Sequence, residues 1–181
     1  MTFLSDRNEI VAFADDYWTL IASSDAKAER TFENDFRVAR SCGLLSKELF
    51  VRVARWKSVR NIRRYESNTE ADIRTATAAA FQACDDATAI KALTQLHGVA
   101  VRTASAILHW MRPERFPILD YRIMAALGEM TPKSYDDIRI YIRVADRIRE
   151  LALLHSLDLR TIDRALWTWD KRRSRSKSKC G

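Results

Sequence analysis

The stretch LHGVAVRTASAILHWMRPERFPILD, residues 96–120, holds one of the chain's four glycines and two of its three prolines. Gly98 supplies the φ freedom that a tight turn needs, and the residues from Val99 to Arg102 begin a helix. The first amides of a helix lack intrahelical partners and carry a partial positive charge, which suits a phosphate. Thr103, Ala104, Ser105 and Ala106 are small, so another helix or backbone can approach closely. Read alone, this fragment is equally an ordinary pair of helices whose small residues serve packing. Arg112-Pro113 then ends the helix, and Phe116, standing before Pro117, is biased towards extended backbone. Asp120 comes directly before the amphipathic run YRIMAAL. Asp is a favoured N-cap, and a carboxylate held at a helix start stays ionised. One such anion can both cap a helix and stabilise positive charge developing on a sugar.

Outward from this stretch, the 181 residues read as all-α. Gly and Pro are scarce while Ala, Leu, Ile and Arg abound, and 47% of residues are hydrophobic, enough for a packed core. Apolar spacing predicts helices over 8–22 and 25–40, a break at CGLLS with Gly43 as C-cap and Ser46 as N-cap, and a short helix over 47–56. KSVRNIRRYESN is polar and basic and reads as a loop or irregular helix. Ser67 with Glu70 fits a capping box. Further helices are expected over 86–95, over 135–155 with Ser134 as N-cap, and after Asp158. The residues from Lys171, KRRSRSKSKCG, form a basic Ser-rich tail expected to be disordered. The only hint of a strand is the brief FPIL.

Composition narrows the function classes. No apolar run is long enough to span a bilayer, MTFLSDRNEI lacks a signal-peptide pattern, and a cytoplasmic location is expected. Cys42, Cys84 and Cys180 are too few and scattered for a disulfide framework, an iron–sulfur cluster or a zinc site. The net charge of +7 makes an anionic partner plausible, nucleic acid first. Its distribution is uneven. Residues 1–40 carry eight acidic and five basic groups, residues 41–64 seven basic and one acidic, and residues 156–181 eight basic and three acidic.

Together, LHGVAVRTASAIL and FPILDYR resemble the helix–hairpin–helix DNA glycosylase superfamily. Members typically read L-P-G-V-G at the hairpin, with a catalytic Asp downstream. Here the hairpin is Leu96-His97-Gly98-Val99-Ala100, and Asp120 lies 18 residues beyond Arg102, the spacing found between the hairpin Lys and catalytic Asp of the endonuclease III branch. The resemblance implies a two-lobed helical bundle over residues 1–170, with the hairpin and catalytic motif in 93–128 and the basic tail at 171–181. It implies a protein that acts on double-stranded DNA, cytoplasmic and, in a bacterium, nucleoid-associated; the oligomeric state is left open, with a monomer favoured. His97, Gly98, Val99, Ala100, Arg102 and Thr103 would grip the DNA backbone, and Asp120 would assist hydrolysis of the glycosidic bond of a flipped base. No cofactor is implied beyond, at most, a monovalent cation at the hairpin. His97 replaces the usual Pro, and Ala100 the second Gly. Arg102 stands where bifunctional members keep a Lys, and a guanidinium cannot form a Schiff base. The implied enzyme is therefore monofunctional, leaving an abasic site without lyase activity. The alternative is a DNA- or RNA-binding protein on the same scaffold that does not excise bases.

A base pocket needs aromatic or apolar walls. Trp110, Tyr121, Trp56 and Trp167 are the candidates, with His109, Tyr65 and Trp169 behind them, although large aromatics are also core residues. Trp167 and Trp169 cannot face the same way on one helix. The basic segment RVARWKSVRNIRR, residues 52–64, interleaves Trp56 with cations, a pattern suited to nucleic acid and also to a solvated helix end. Family members carry a wedge that fills the gap left by the flipped base. Lys57, Ser58, Arg60 and Asn61 hold that position here. The sequence leaves the identity of the base open.

Overall fold

The computed structural model describes residues 2–129 and 137–177, with side chains described for 3–129 and 137–175. Every regular element among them is helical: α1 (Arg7–Leu20), α2 (Ser23–Cys42), α3 (Lys47–Lys57), α4 (Ile62–Ser67), α5 (Glu70–Gln82), α6 (Asp86–Leu93), α7 (Val101–Met111), α8 (Tyr121–Leu127), α9 (Ile138–His155) and α10 (Leu159–Lys177), with short 3₁₀ turns at Thr2–Ser5 and Val59–Asn61.

Helix starts follow capping chemistry. Asp6, Ser46, Asp85, Asp120 and Asp137 each accept a first-turn amide, which satisfies one of the orphan donors there. The capping box of α5 is formed by Thr69 and Asp72. The expected Ser67–Glu70 pair is displaced by two residues, because Ser67 still belongs to α4 and its hydroxyl donates to the Arg64 carbonyl. Gly43 ends α2 in the left-handed region at φ +68°, as expected. The long helix expected from 135 begins at Ile138, and Ser134 lies outside the described residues. The tail expectation is corrected over its first part. α10 continues through Lys177, helped by Lys171 donating to the Leu20 carbonyl and by the Arg172–Asp16 ion pair.

The helices pack in two groups. α10 lies along α1 and against α8 and α9, while α3 packs on α7, α4, α5 and α2, and α5 on α6. α6 reaches across to α9. A single apolar core runs through both groups, with Phe36, Phe50, Tyr65, Ile107, Phe116 and Tyr141 fully buried. Helical spacing explains which faces enter it: Ile10, Ala14 and Tyr17 of α1, and Tyr141, Ala145, Ile148 and Ala152 of α9.

Between α7 and α8 the chain crosses the core in extended form. Phe116, Ile118 and Leu119 are at most 2% exposed. A buried extended segment without a neighbouring strand must find other partners for its backbone. His109 Nδ1 donates to the Phe116 carbonyl (2.8 Å) and the Tyr141 hydroxyl to that of Pro117 (3.4 Å). The Ile118 amide donates to Asp163 Oδ2 (3.0 Å) and the Leu119 amide to Ser105 Oγ (2.9 Å). α7, α9 and α10 thus fix the path that ends at Asp120.

Candidate functional site

Asp120 caps α8 with Oδ1, which accepts the Arg122 amide at 3.1 Å. Its Oδ2 accepts the Lys57 ammonium at 3.0 Å. Lys57 is the last residue of α3, so the ion pair joins the two helix groups. Burial pushes the Asp120 carboxyl up, but Lys57, the Arg122 amide and nearby Arg102 outweigh it and hold the group below the ordinary carboxylate range. The result is a fixed, ionised carboxylate whose side chain keeps 22% exposure.

Two adjoining cavities share Asp120, Lys57, Trp56 and Asp25. The outer one, about 660 Å³, runs past Ser58, Arg60 and Asn61 on one side and Ala100, Arg102 and Thr103 on the other, with Tyr121 at its edge. The inner one, about 160 Å³, is walled by Trp56, Trp167, Tyr17, Ile118 and Ile123, and Arg160 also lines it. The spacing rule for Trp167 and Trp169 holds, because Trp169 turns away and stacks on Phe3.

α6 and α7 are joined by a turn in which Gly98 has φ +82°. A Cβ there would sit 2.8 Å from Arg64 Cβ and 3.2 Å from the Tyr65 ring. Asn68 brackets His97, accepting its amide at 2.7 Å and donating to its carbonyl at 3.1 Å, and Asn61 donates to the Gly98 carbonyl at 3.1 Å. Ala100 then starts α7 without a side-chain cap. With Ala100 and Arg102 on the outer cavity, the first turn of α7 borders it.

Several expected site residues stand elsewhere. Trp110 is core rather than pocket wall. It is 3% exposed and packs among Phe32, Phe36 and Trp56, because α7 turns this face towards α2. Val99 is 7% exposed and its amide donates to the Leu96 carbonyl, so the free start of the helix begins one residue later than expected. His97 borders a separate groove beside Asp72 and Gln95, away from Asp120. Gly98 faces Arg64 and Tyr65, also outside the cavities. Thr103 does line the outer cavity, with its hydroxyl sharing a hydrogen bond with that of Tyr65 at 3.3 Å. His109 is buried, and that burial lowers its pKa to about 3, so it is a neutral backbone anchor.

Behind the inner pocket lies a buried charge network absent from the expected site. Glu29, 1% exposed, accepts Arg160 at 2.7 Å, Arg164 at 3.0 Å and the Tyr17 hydroxyl. Burial pushes its carboxyl up, but the two guanidiniums and the hydroxyl bring it below its usual value. Asp163, fully buried beside Arg160, is raised by burial to about 7. A signal for both was present. Arg160, Asp163, Arg164 and Trp167 share one stripe of α10, and Asp25, Glu29, Phe32 and Phe36 one stripe of α2. Charges on a core-facing stripe need buried partners.

Among the described residues, no group of three or more His, Cys, Asp or Glu side chains could hold a metal ion, and no helix is long and apolar enough to cross a membrane. No protein-family model matches the chain, and neither a curated protein nor a solved structure matches it. The functional reading therefore rests on the residues and their geometry.

Proposed function

We propose that the protein is a DNA glycosylase that hydrolyses the N-glycosidic bond of a base flipped out of duplex DNA. One observation carries this reading. The ionised Asp120 lies where a cleft bordered by basic side chains and by the start of α7 meets a small pocket with aromatic walls. In this reading, phosphates occupy the outer cleft against Lys57, Arg60 and the α7 amides. The base enters the inner pocket between Trp56 and Trp167. The sugar then stands at Asp120, which stabilises positive charge on it and orients or deprotonates the attacking water. The products are a free base and an abasic site.

The experiment incubates the protein with duplexes carrying modified bases and then cleaves abasic sites with alkali. Wild type is expected to give strand breaks. Asp120→Asn is expected to lose them by about 10²–10⁴-fold while still binding DNA. Arg102 cannot form a Schiff base, so no adduct is expected on borohydride reduction. If one formed, Lys57 would be the amine to replace, since its ammonium lines both cavities.

A second reading, a nucleic-acid-binding protein without excision, is favoured by the engagement of Asp120 with Lys57 and the Arg122 amide. Equal activity of wild type and Asp120→Asn, with DNA binding intact, would decide for it.

A further inference from the structure

If the site excises bases, its inner pocket also decides which ones. Aromatic walls attract cations through their electron-rich faces, and a cationic N-alkylated purine would exploit that. Here the protein's own cations already stand at those walls. The Arg160 guanidinium lies 5.2 Å from the Tyr17 ring and 5.9 Å from the Trp56 ring. Lys171 Nζ is 4.4 Å from the Trp167 ring and the Arg122 guanidinium 5.6 Å. Lys57 adds an ammonium to the lining. The neighbouring carboxylates are largely committed: Asp120 to Lys57, Glu29 to Arg160 and Arg164, and Asp170 to Arg122. A positive base entering this pocket would have to compete with cations already seated on its aromatic rings.

What the lining offers is a set of hydrogen-bonding groups of both kinds. Lys57 and Arg160 are donors, and Asp25, shared by the two cavities, carries carboxyl oxygens. Burial and nearby Glu29 push the Asp25 carboxyl up. A carbonyl beside an N–H, the lactam edge, matches donors set beside an acceptor.

Resting on the excision reading, we propose that the inner pocket takes a neutral base with a lactam edge and rejects cationic N-alkylated purines. Flipping then selects among lactam bases, because extrusion costs least for a mispaired base. Guanine and thymine in normal pairs stay in the stack. The deamination products uracil opposite guanine and hypoxanthine opposite thymine are the bases that this chemistry fits.

Tryptophan fluorescence tests the preference without requiring catalysis, since Trp56 and Trp167 wall the pocket. Deoxyuridine and deoxyinosine are titrated against 1-methyladenosine and 7-methylguanosine at slightly acidic pH, where both methylated nucleosides are cations. The neutral pair is expected to quench saturably and to bind about tenfold more tightly than the cations. Lys171→Met, which removes the nearest cation from Trp167, is expected to narrow that gap by about twofold to fivefold. Equal or tighter binding of the cations overturns the proposal, and so does saturable quenching by none of the four. Duplexes are assayed separately. Breaks at uracil or hypoxanthine and none at 7-methylguanine support the proposal, and the reverse order overturns it. Absence of breaks in every duplex, with the nucleoside preference intact, would reject excision while upholding the pocket's selectivity.

Discussion

Two stretches of non-helical backbone border the cleft, the turn Leu96–Ala100 and the run Phe116–Asp120. The turn is held by its own backbone conformation and by one segment, the two ends of α4. Gly98 takes a left-handed conformation, and Asn61 and Asn68, close to α4, tie down the His97 and Gly98 backbone. The run is held by borrowed side chains alone. Its four anchors come from three helices, and Asp163 is 45 residues from the amide it receives. A turn fixed by its own geometry fails when a Cβ is added. A run fixed by borrowed side chains fails when one lender is removed.

The largest effect is expected at the turn. Gly98→Ala adds a Cβ against Arg64 and Tyr65 and strains a positive φ, so a loss of about 3 kcal/mol is expected in denaturant unfolding. Gly43→Ala is the control. It has a similar φ of +68° and open space around the new Cβ, and should cost only about 1 kcal/mol. Equal losses would show that crowding against α4 does not fix the turn.

The run comes next. Ser105→Ala leaves the buried Leu119 amide without its acceptor, at an expected cost of about 2 kcal/mol. The same variant should impair the proposed base excision, because Asp120 follows Leu119 directly. A stability loss with wild-type activity would show that the anchor does not position the carboxylate.

Asp163 gives the run a pH dependence. Its carboxyl is raised from 3.8 to about 7 in the folded protein, so between those values the folded state holds more protons than the unfolded one. Its stabilising contribution is full below pH 3.8 and is lost as pH rises towards and through about 7. Asp163→Asn keeps an acceptor for the Ile118 amide. Relative to wild type, this variant should become progressively more stable from about pH 4 to pH 7, as read from unfolding at each pH. A constant difference would sink the assignment.

The smallest effect on stability is expected at the junction of the two regions. Lys57→Met removes the cation that offsets the burial of Asp120, so the Asp120 carboxyl should titrate higher, as carbon-detected NMR can follow. An unchanged titration would mean that the Arg122 amide and Arg102 suffice.

The same contrast explains what the sequence disclosed. The Gly98 turn, the extended bias before Pro117 and the capping role of Asp120 depend on neighbours within a few residues, and all were legible. So was the helical character of nearly every segment. The failures are long-range. Nearness to the motif suggests a pocket position for Trp110, yet its face of α7 is decided by packing against α2. Composition alone predicts disorder after Lys171, although contacts to Leu20 and Asp16 hold the first turns there. Glu29, Arg160 and Asp163 occupy stripes that read as helical faces, and Glu29 pairs with Arg160 and Arg164 from more than 130 positions away. No local pattern announces such a partner.

The inner pocket draws on α1 through Tyr17, α3 through Trp56, the run through Ile118 and α10 through Arg160 and Trp167. Its walls therefore come from nearly the whole length of the chain. During synthesis this cavity cannot exist until α10 has left the ribosome, however early the α6–α7 turn forms. Closing it is a non-local step, which in folding tends to be slow. An incomplete or newly made chain carries the basic segment and the turn while lacking the walls of this pocket.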